Sequence, residues 1–141
     1  ETKEHLVKFH EDIYAVLDCT GICKFVCHGF NSPHFLGYEH FAELIGIVGG
    51  IKYSVSELKK VAYRVLDLER MINMREGISR KDDTLPGRYF NDPMPAGRSK
   101  GHKIERESFN KMLDKYYQIR DWTENGVVKT SRMEEIKKDF V

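Results

Sequence analysis

Apolar residues recur at steps of three and four along most of the chain, the spacing typical of amphipathic helices. The first such stripe predicts a helix over residues 3–17 that ends at Asp18. A sharp bend is then expected at Gly21, because short polar residues and glycine favour caps and turns over mid-helix positions. The pattern predicts that a second helix begins near Ile22 or Cys23.

Two further helices follow in the central part of the sequence. The apolar stripe over residues 41–48 ends at the glycine pair 49–50, which can adopt the left-handed conformation of a helix C-cap. Ser54 and Glu57 have the spacing of a capping box, in which each side chain satisfies a free backbone N–H of the other residue. They open the longest predicted helix, which ends at Gly77.

Residues 78–103 differ in composition and predict an extended connector. They hold Pro86, Pro93 and Pro95, and each proline removes a backbone donor and pushes the preceding residue out of the helical region. A flexible linker would not need apolar side chains, so we expect this segment to lie against the helices. Its apolar residues are Leu85, Tyr89, Phe90 and Met94.

The last part of the chain predicts two more helices. One carries an apolar side over residues 109–116, and Ser131 and Glu134 predict a capping box that opens a short final helix. Short strands are plausible only at residues 51–55 and 126–130. The fold class predicted for residues 1–141 is therefore all-α, a multihelical single domain of about five to six helices with a long ordered Pro/Gly-containing connector.

Composition narrows the functional classes. The 141 residues can bury a core without disulfides or metals, and a net charge of +1 gives no general attraction to DNA or acidic membranes. No apolar run approaches the ~20 residues of a bilayer span, and the charged N-terminal segment does not resemble a signal peptide. We expect a cytoplasmic location, with no nucleic-acid and no membrane partner.

All three cysteines lie in the stretch LDCTGICKFVCH, residues 17–28, at intervals of four. Core packing, a metal or cluster site and redox regulation are the alternatives for Cys19, Cys23 and Cys27. Cys23 is the best candidate ligand, because the free N–H groups at a helix start suit a thiolate, an anion or an electron-rich heterocycle. Cys19 and Cys27 look more like packing residues.

The possible metal sites differ in how many ligands this chain supplies. A local zinc site would combine the three cysteines with His28 or His34, although zinc sites usually pair cysteines at shorter intervals. An iron–sulfur cluster usually takes four cysteine ligands, one more than the chain has. A cluster here would therefore need ligands from elsewhere.

DCTGIC at residues 18–23 resembles the pattern Asp-x-x-Gly-Leu-Cys, with isoleucine in place of leucine. LERMINMREGISRKDDTLPGR at residues 68–88 and YYQIRDWTENGVV at residues 116–128 resemble two further signatures that occur with this pattern in the same order and spacing. By these three segments the chain resembles the tungsten-dependent aldehyde:ferredoxin oxidoreductases. The resemblance covers nearly the whole chain.

The resemblance implies that residues 1–141 form the C-terminal all-α domain of a larger oxidoreductase and that the N-terminal part, which cradles the cofactor, is absent. In such enzymes a bis-molybdopterin cofactor of tungsten or molybdenum oxidises an aldehyde substrate to a carboxylic acid. A [4Fe–4S] cluster then passes electrons to ferredoxin. The fragment alone is expected to be inactive, to bind neither cofactor and to hold no catalytic residue.

The same resemblance assigns roles to three residues near the bend. Cys23 takes the place of a fourth cluster ligand, and Asp18 accepts hydrogen bonds from the amino group of one pterin. The backbone N–H groups of Ile22 and Cys23 donate to the pterin ring edge. The resemblance gives no role to Cys19 or Cys27. The alternative function is a self-contained helical binding module with a small zinc site or no cofactor.

The remaining charged and aromatic residues are expected to be structural. An ion-pair network fixing the connector to the long helix is predicted for Arg75, Glu76, Arg80, Asp82 and Asp83, with substrate-channel or ferredoxin-docking roles as the alternative. The six histidines show no metal-ligand spacing, and Tyr116, Tyr117 and Trp122 are expected to pack in or beside the core.

Overall fold

The computed structural model describes residues 3–27 and 36–138, and most of these residues are helical. No strand occurs among them, and Trp122 and Val128 form an isolated antiparallel bridge. The prediction of an all-α fold is confirmed. The helices are α1 (Lys3–Thr20), α2 (Lys24–Cys27), α3 (Tyr38–Gly49), α4 (Val55–Arg75), α5 (Arg88–Asn91), α6 (Arg106–Arg120) and α7 (Thr130–Lys138), with a 3-10 turn at Arg80–Asp82.

Helix α1 lies against both α4 and α6, while α3 and α7 pack on α4. The apolar side of α1 enters the main core, where burial of each large aliphatic side chain contributes about 1.5–3 kcal/mol. The core residues are Ile13, Ala15, Val16, Leu17, Tyr38, Phe41, Leu58 and Ala62. None of the helices in the described ranges is long and apolar enough to cross a membrane.

The end of α1 differs from the prediction. The helix continues past Asp18 to Thr20, whose hydroxyl donates to the carbonyl groups of Val16 and Leu17, both at 3.0 Å. This local bond lets a threonine close the last turn instead of breaking it. The bend itself is confirmed at Gly21, which has a φ of +72°.

Of the four other helix ends predicted from the sequence, three are confirmed and one is wrong. Gly50 caps α3 in the left-handed conformation, and the Ser54 and Glu57 capping box opens α4. Gly77, with a φ of +88°, follows the end of α4 and donates its N–H to the carbonyl of Met74 at 3.0 Å. The cap predicted at Ser131 is wrong, because α7 begins at Thr130 and Ser131 lies inside its first turn.

The connector is ordered and partly packed, as expected. Phe90 is buried and lies edge-on to Phe109 of α6, with ring centroids 5.4 Å apart. Backbone bonds from Ile104 to Tyr89 and from Met94 to His102 hold the remainder in place. Tyr89 and Met94 are nevertheless exposed, so only some of the apolar side chains of the connector pack against the described helices.

Candidate functional site: the bend between α1 and α2

The bend after α1 presents polar and thiol groups at the surface. Cys19 and Cys23 are free and exposed, one on each side of Gly21. The carboxylate of Asp18 is largely exposed and forms an ion pair with Lys24 of α2, with Nζ and Oδ2 2.9 Å apart. The structure therefore brings a thiol and a carboxylate to one exposed turn of the chain.

The backbone at the bend has one donor already engaged. Ile22 donates its N–H to the carbonyl of Leu17 at 3.1 Å, the bond that spans a left-handed glycine at a helix end. Its side chain is half-buried and packs against the core, which fixes the bend to α1. A pterin meeting this N–H would have to share it with Leu17.

The bend fits one ligand of a larger site. An exposed thiol can reach a metal held by other polypeptide, and an exposed carboxylate can accept hydrogen bonds from an amino group. Among the residues that the structure describes, no group of three His, Cys, Asp or Glu side chains is placed to hold a metal ion. The predicted zinc ligands His28 and His34, and the side chain of Cys27, lie outside the described set.

Large apolar side chains are exposed on α2, directly after the bend, and at the end of α3. Phe25 follows the bend and is 68% exposed, while Ile47 and Val48 are 72% and 84% exposed. Single exposed apolar residues are ordinary, but consecutive ones at this level are typical of surfaces that another polypeptide covers. The end of α3 thus has the character of an interface.

Buried charged residues that the sequence analysis did not identify hold the helices together. Asp67 of α4 accepts from Trp122 Nε1 at 2.7 Å and from Arg132 Nη2 of α7 at 2.6 Å. Arg120 of α6 pairs with the buried carboxylate of Asp12 on α1. Asp12, Asp67 and Arg120 are therefore each paired, as burial of ions requires.

The predicted five-residue ion-pair network is only partly present. Asp83 pairs with Arg70, a residue the prediction omitted, and Arg80 pairs with Asp114 of α6 at 2.6 Å. The remaining three residues make local contacts. Asp82 caps the 3-10 turn through Ser79, and Arg75 and Glu76 form an exposed pair with each other.

The aromatic residues of the C-terminal signature pack as predicted. Tyr117 is buried, and its ring, that of Tyr116 and that of Trp122 lie within 6.1 Å of one another. Burial raises the pKa of Tyr116 and Tyr117 above the ordinary range, and the neighbouring carboxylates Glu11 and Asp83 add to this effect. Burial, with a contribution from Asp12, likewise raises the pKa of Tyr38.

Comparison with known proteins agrees with the resemblance seen in the motifs. Residues 1–137 match the family described as aldehyde ferredoxin oxidoreductase, domains 2 and 3. A tungsten-containing aldehyde ferredoxin oxidoreductase of Pyrococcus horikoshii is 31% identical over 137 residues, and the match covers 96% of this chain and 21% of that protein. The corresponding enzyme of Pyrococcus furiosus has the same identity and coverage.

Two further proteins are similar to this chain, one in sequence and one in structure. The WOR-like subunit of an aliphatic sulfonate oxidoreductase of Pyrococcus furiosus is 28% identical over 132 residues, or 89% of this chain. A chain of the active-site complex BamBC of benzoyl coenzyme A reductase superposes with a TM-score of 0.72 at 22% identity, over 97% of this chain and 19% of that chain.

The chain spans about a fifth of the length of the curated relatives it matches. The family match nevertheless extends over nearly all of its residues. The chain therefore belongs to the aldehyde ferredoxin oxidoreductase family.

Proposed function

We propose that residues 1–141 are the C-terminal all-α domain of an enzyme that oxidises an aldehyde to a carboxylic acid and passes the electrons to ferredoxin in the cytoplasm. The rest of that enzyme supplies the substrate site and most of the cofactor cradle. The observation that carries the proposal is the exposed thiol of Cys23 at the bend after Gly21, within the DCTGIC motif.

Cys23 supplies one thiolate to a [4Fe–4S] cluster whose other three ligands come from an upstream part of the enzyme. A single cysteine from this chain is enough to complete the cluster, because cluster ligands need not lie on one domain. The position is anchored, since α1 ends in the core and the Ile22 side chain packs there. An anchored ligand holds the cluster at a fixed distance from its neighbours.

Asp18, Ile22 and Cys23 contact one pterin of a tungsten or molybdenum cofactor. The Asp18 carboxylate accepts from the pterin amino group, which would compete with Lys24 for the same oxygen atoms. The Cys23 N–H donates to the ring edge, and the Ile22 N–H is shared with Leu17. The bound cofactor supplies the two-electron oxidation of the aldehyde.

The exposed apolar side chains support a domain that is covered by the rest of an enzyme. Ile47 and Val48 extend α3 with apolar surface that no described residue covers. Burying this surface contributes about 25 cal/mol for each Å² removed from water, which favours association with the cofactor-binding part. Within residues 3–27 and 36–138 no observation favours the alternative of a self-contained zinc module, and we do not propose it.

Thiol accessibility in the complete enzyme tests the assignment. Cys23 is expected to resist alkylation while iron is bound and to react after the iron is removed by chelation, because a metal-bound thiolate is not free to attack. Cys19 lies four residues away and provides an internal control. A Cys23 thiol that reacts equally with and without iron would contradict the proposal.

Asp18 can be tested separately. Asp18→Ala is expected to lower the tungsten content of the purified enzyme while the iron content stays unchanged, because only the pterin contact is lost. Lys24→Ala removes the partner of Asp18 and is expected to leave both metals in place. Equal metal contents in all three proteins would contradict the role of Asp18.

A further inference from the structure

A cavity of about 350 Å³ lies between α1, α4 and α6. The N-terminal half of α1 lines one side of it, where Glu4, Val7 and Glu11 share one face of the helix. Glu4 and Asp18 lie on the same helix, about 21 Å apart at the rise of an α-helix. The cavity is therefore at the opposite end of α1 from the bend.

Glu4 is the unusual residue of this cavity. It is only 5% exposed, and its carboxylate has no hydrogen bond or ion pair with any residue in the described ranges 3–27 and 36–138. An unpaired carboxylate at the end of a largely buried side chain is poorly hydrated, so a nearby cation would stabilise its charge. Because Glu4 lines the cavity, a cation bound there would lie beside its carboxylate.

The charges around the cavity leave an excess of negative charge. Asp83 is paired with Arg70. Glu11 is also paired, because its carboxylate accepts from the Tyr116 hydroxyl and from Arg120. Glu4 and Glu69 are the two carboxylates in the wall that have no cationic partner among the described residues.

The rest of the wall is apolar and aromatic. Met112 and Leu113 of α6 line the cavity together with the rings of Phe109 and Trp122. Aromatic faces carry negative partial charge and attract ammonium and guanidinium groups, by about 0.5–2 kcal/mol for each contact. A cavity with unpaired carboxylates and aromatic walls is complementary to a cation that carries an alkyl chain.

We propose that this cavity binds an organic cation, an alkylammonium or alkylguanidinium group, with its charge at Glu4 and its alkyl chain against Met112 and Leu113. The cation is either a free ligand or the side chain of a lysine or arginine from polypeptide outside this chain. The proposal does not depend on the oxidoreductase function, because none of its residues lies at the bend.

Titration of the 141-residue chain with n-butylammonium, followed by amide chemical shifts in NMR spectra, tests the proposal. Saturable shifts are expected at residues that line the cavity, and n-butanol, which has a similar shape but no charge, is expected to bind at least tenfold more weakly. Equal binding of the alcohol would overturn the proposal, because the cavity would then be merely apolar.

Two glutamate variants separate the cavity from general electrostatics. Glu4→Gln is expected to raise the Kd for n-butylammonium about tenfold, the effect of losing a bond to a charged partner. Glu107→Gln is the matched control, since Glu107 also lies in the first turn of a helix but is exposed outside the cavity. Equal Kd values for the two variants would overturn the proposal.

Glu69→Gln provides a second variant if Glu4→Gln does not fold, because Glu69 lines the cavity but is exposed. It is expected to raise the Kd about threefold, and an unchanged Kd would overturn the proposal. The same titration of the complete enzyme identifies the source of the cation. Binding that persists indicates a free ligand, while binding seen only in the 141-residue chain indicates a lysine or arginine side chain of the enzyme itself.

Discussion

Arg70 of α4 and Asp83 of the connector form two parallel hydrogen bonds, Nη1 to Oδ1 at 2.9 Å and Nη2 to Oδ2 at 2.6 Å. The third donor of the guanidinium, Nε, binds the carbonyl of Gly126 at 2.7 Å. A single buried side chain therefore fastens both the connector and the turn after α6 to the longest helix. The planar, forked geometry of arginine makes this arrangement possible.

Removal of the Asp83 charge is expected to destabilise the chain substantially. Asp83→Asn leaves the buried guanidinium of Arg70 without its counter-charge, at a cost of about 3 kcal/mol in the free energy of unfolding. Urea unfolding followed by Trp122 fluorescence measures the change. Glu76→Gln breaks the exposed pair with Arg75 and is expected to change stability by less than about 0.5 kcal/mol. Equal effects would contradict the structural role of Arg70.

Gly126 is expected to tolerate no side chain. A Cβ at this position would lie 2.6 Å from Arg70 Nη2 and 2.7 Å from Tyr117 Cζ, at a φ of +69°. Gly126→Ala is therefore expected to cost about 3 kcal/mol or more. Gly50 has nearly the same φ, +68°, but open space around it, so Gly50→Ala is expected to cost about 1 kcal/mol. Equal losses in thermal or urea unfolding would show that the crowding at Gly126 is absent.

The two Ser-x-x-Glu sequences are expected to respond differently to alanine. Ser54 Oγ accepts from the N–H of Glu57 at 3.2 Å, and Ser54→Ala is expected to cost about 1 kcal/mol of stability. Ser131 lies within α7, where alanine is the better helix former, so Ser131→Ala is expected to be neutral or slightly stabilising. A loss at Ser131 as large as at Ser54 would place the start of α7 two residues later, with Ser131 as its N-cap.

The stability of the chain is expected to fall at alkaline pH because of its buried tyrosines. Burial raises the folded-state pKa of Tyr38, Tyr116 and Tyr117 above the unfolded value of about 10. The folded state then holds these protons when the unfolded state has lost them. Their contribution is complete below pH 10 and decreases as pH rises further, by at most about 1.4 kcal/mol per pH unit for each tyrosine.

Urea unfolding between pH 9 and 11 measures this slope. Tyr116→Phe is expected to reduce the slope by about a third, since it removes one of the three buried hydroxyls. Tyr53→Phe, at an exposed tyrosine, serves as the control and is expected to keep the full slope. A slope that is unchanged in Tyr116→Phe would contradict the contribution of the buried hydroxyl.

The sequence predicted the helices well because helix ends depend on local chemistry. Ser54, Gly50 and Gly21 each act within one turn of their own position, so short patterns were sufficient. The cap predicted at Ser131 was wrong because Lys129 accepts the first backbone hydrogen bonds of α7, and no short sequence pattern indicates this. The α5 turn at Arg88–Asn91 also lacked an apolar stripe long enough to detect.

The buried charges could not be predicted from the apolar stripe of α4. Ile72 is 45% exposed, and the buried positions in this half of the helix are Asp67 and Arg70. Their partners lie far along the chain, at Trp122, Arg132 and Asp83, and pairings at such separation leave no periodic signal. A charged residue inside a family signature, as Arg70 is, was the one available indication.

The bend was predictable because its chemistry is compact. Gly21 and Cys23 are separated by one residue, and Cys23, the expected ligand, is exposed. The expectation that Cys19 is a packing residue is wrong, since this thiol at the end of α1 is exposed as well. The engagement of the Ile22 N–H by Leu17 was not predictable, since it depends on α1 continuing to Thr20. The position of the helix end thus decides which backbone donors remain for a ligand.

The EPR signal of the reduced cluster tests the central claim most directly. It is compared between the complete enzyme and its Cys23→Ala and Cys19→Ala variants, both of which replace an exposed thiol. We expect Cys23→Ala to lose or change the signal and the bound iron, and Cys19→Ala to retain both. An unchanged signal in Cys23→Ala would contradict the assignment of this thiol as a cluster ligand.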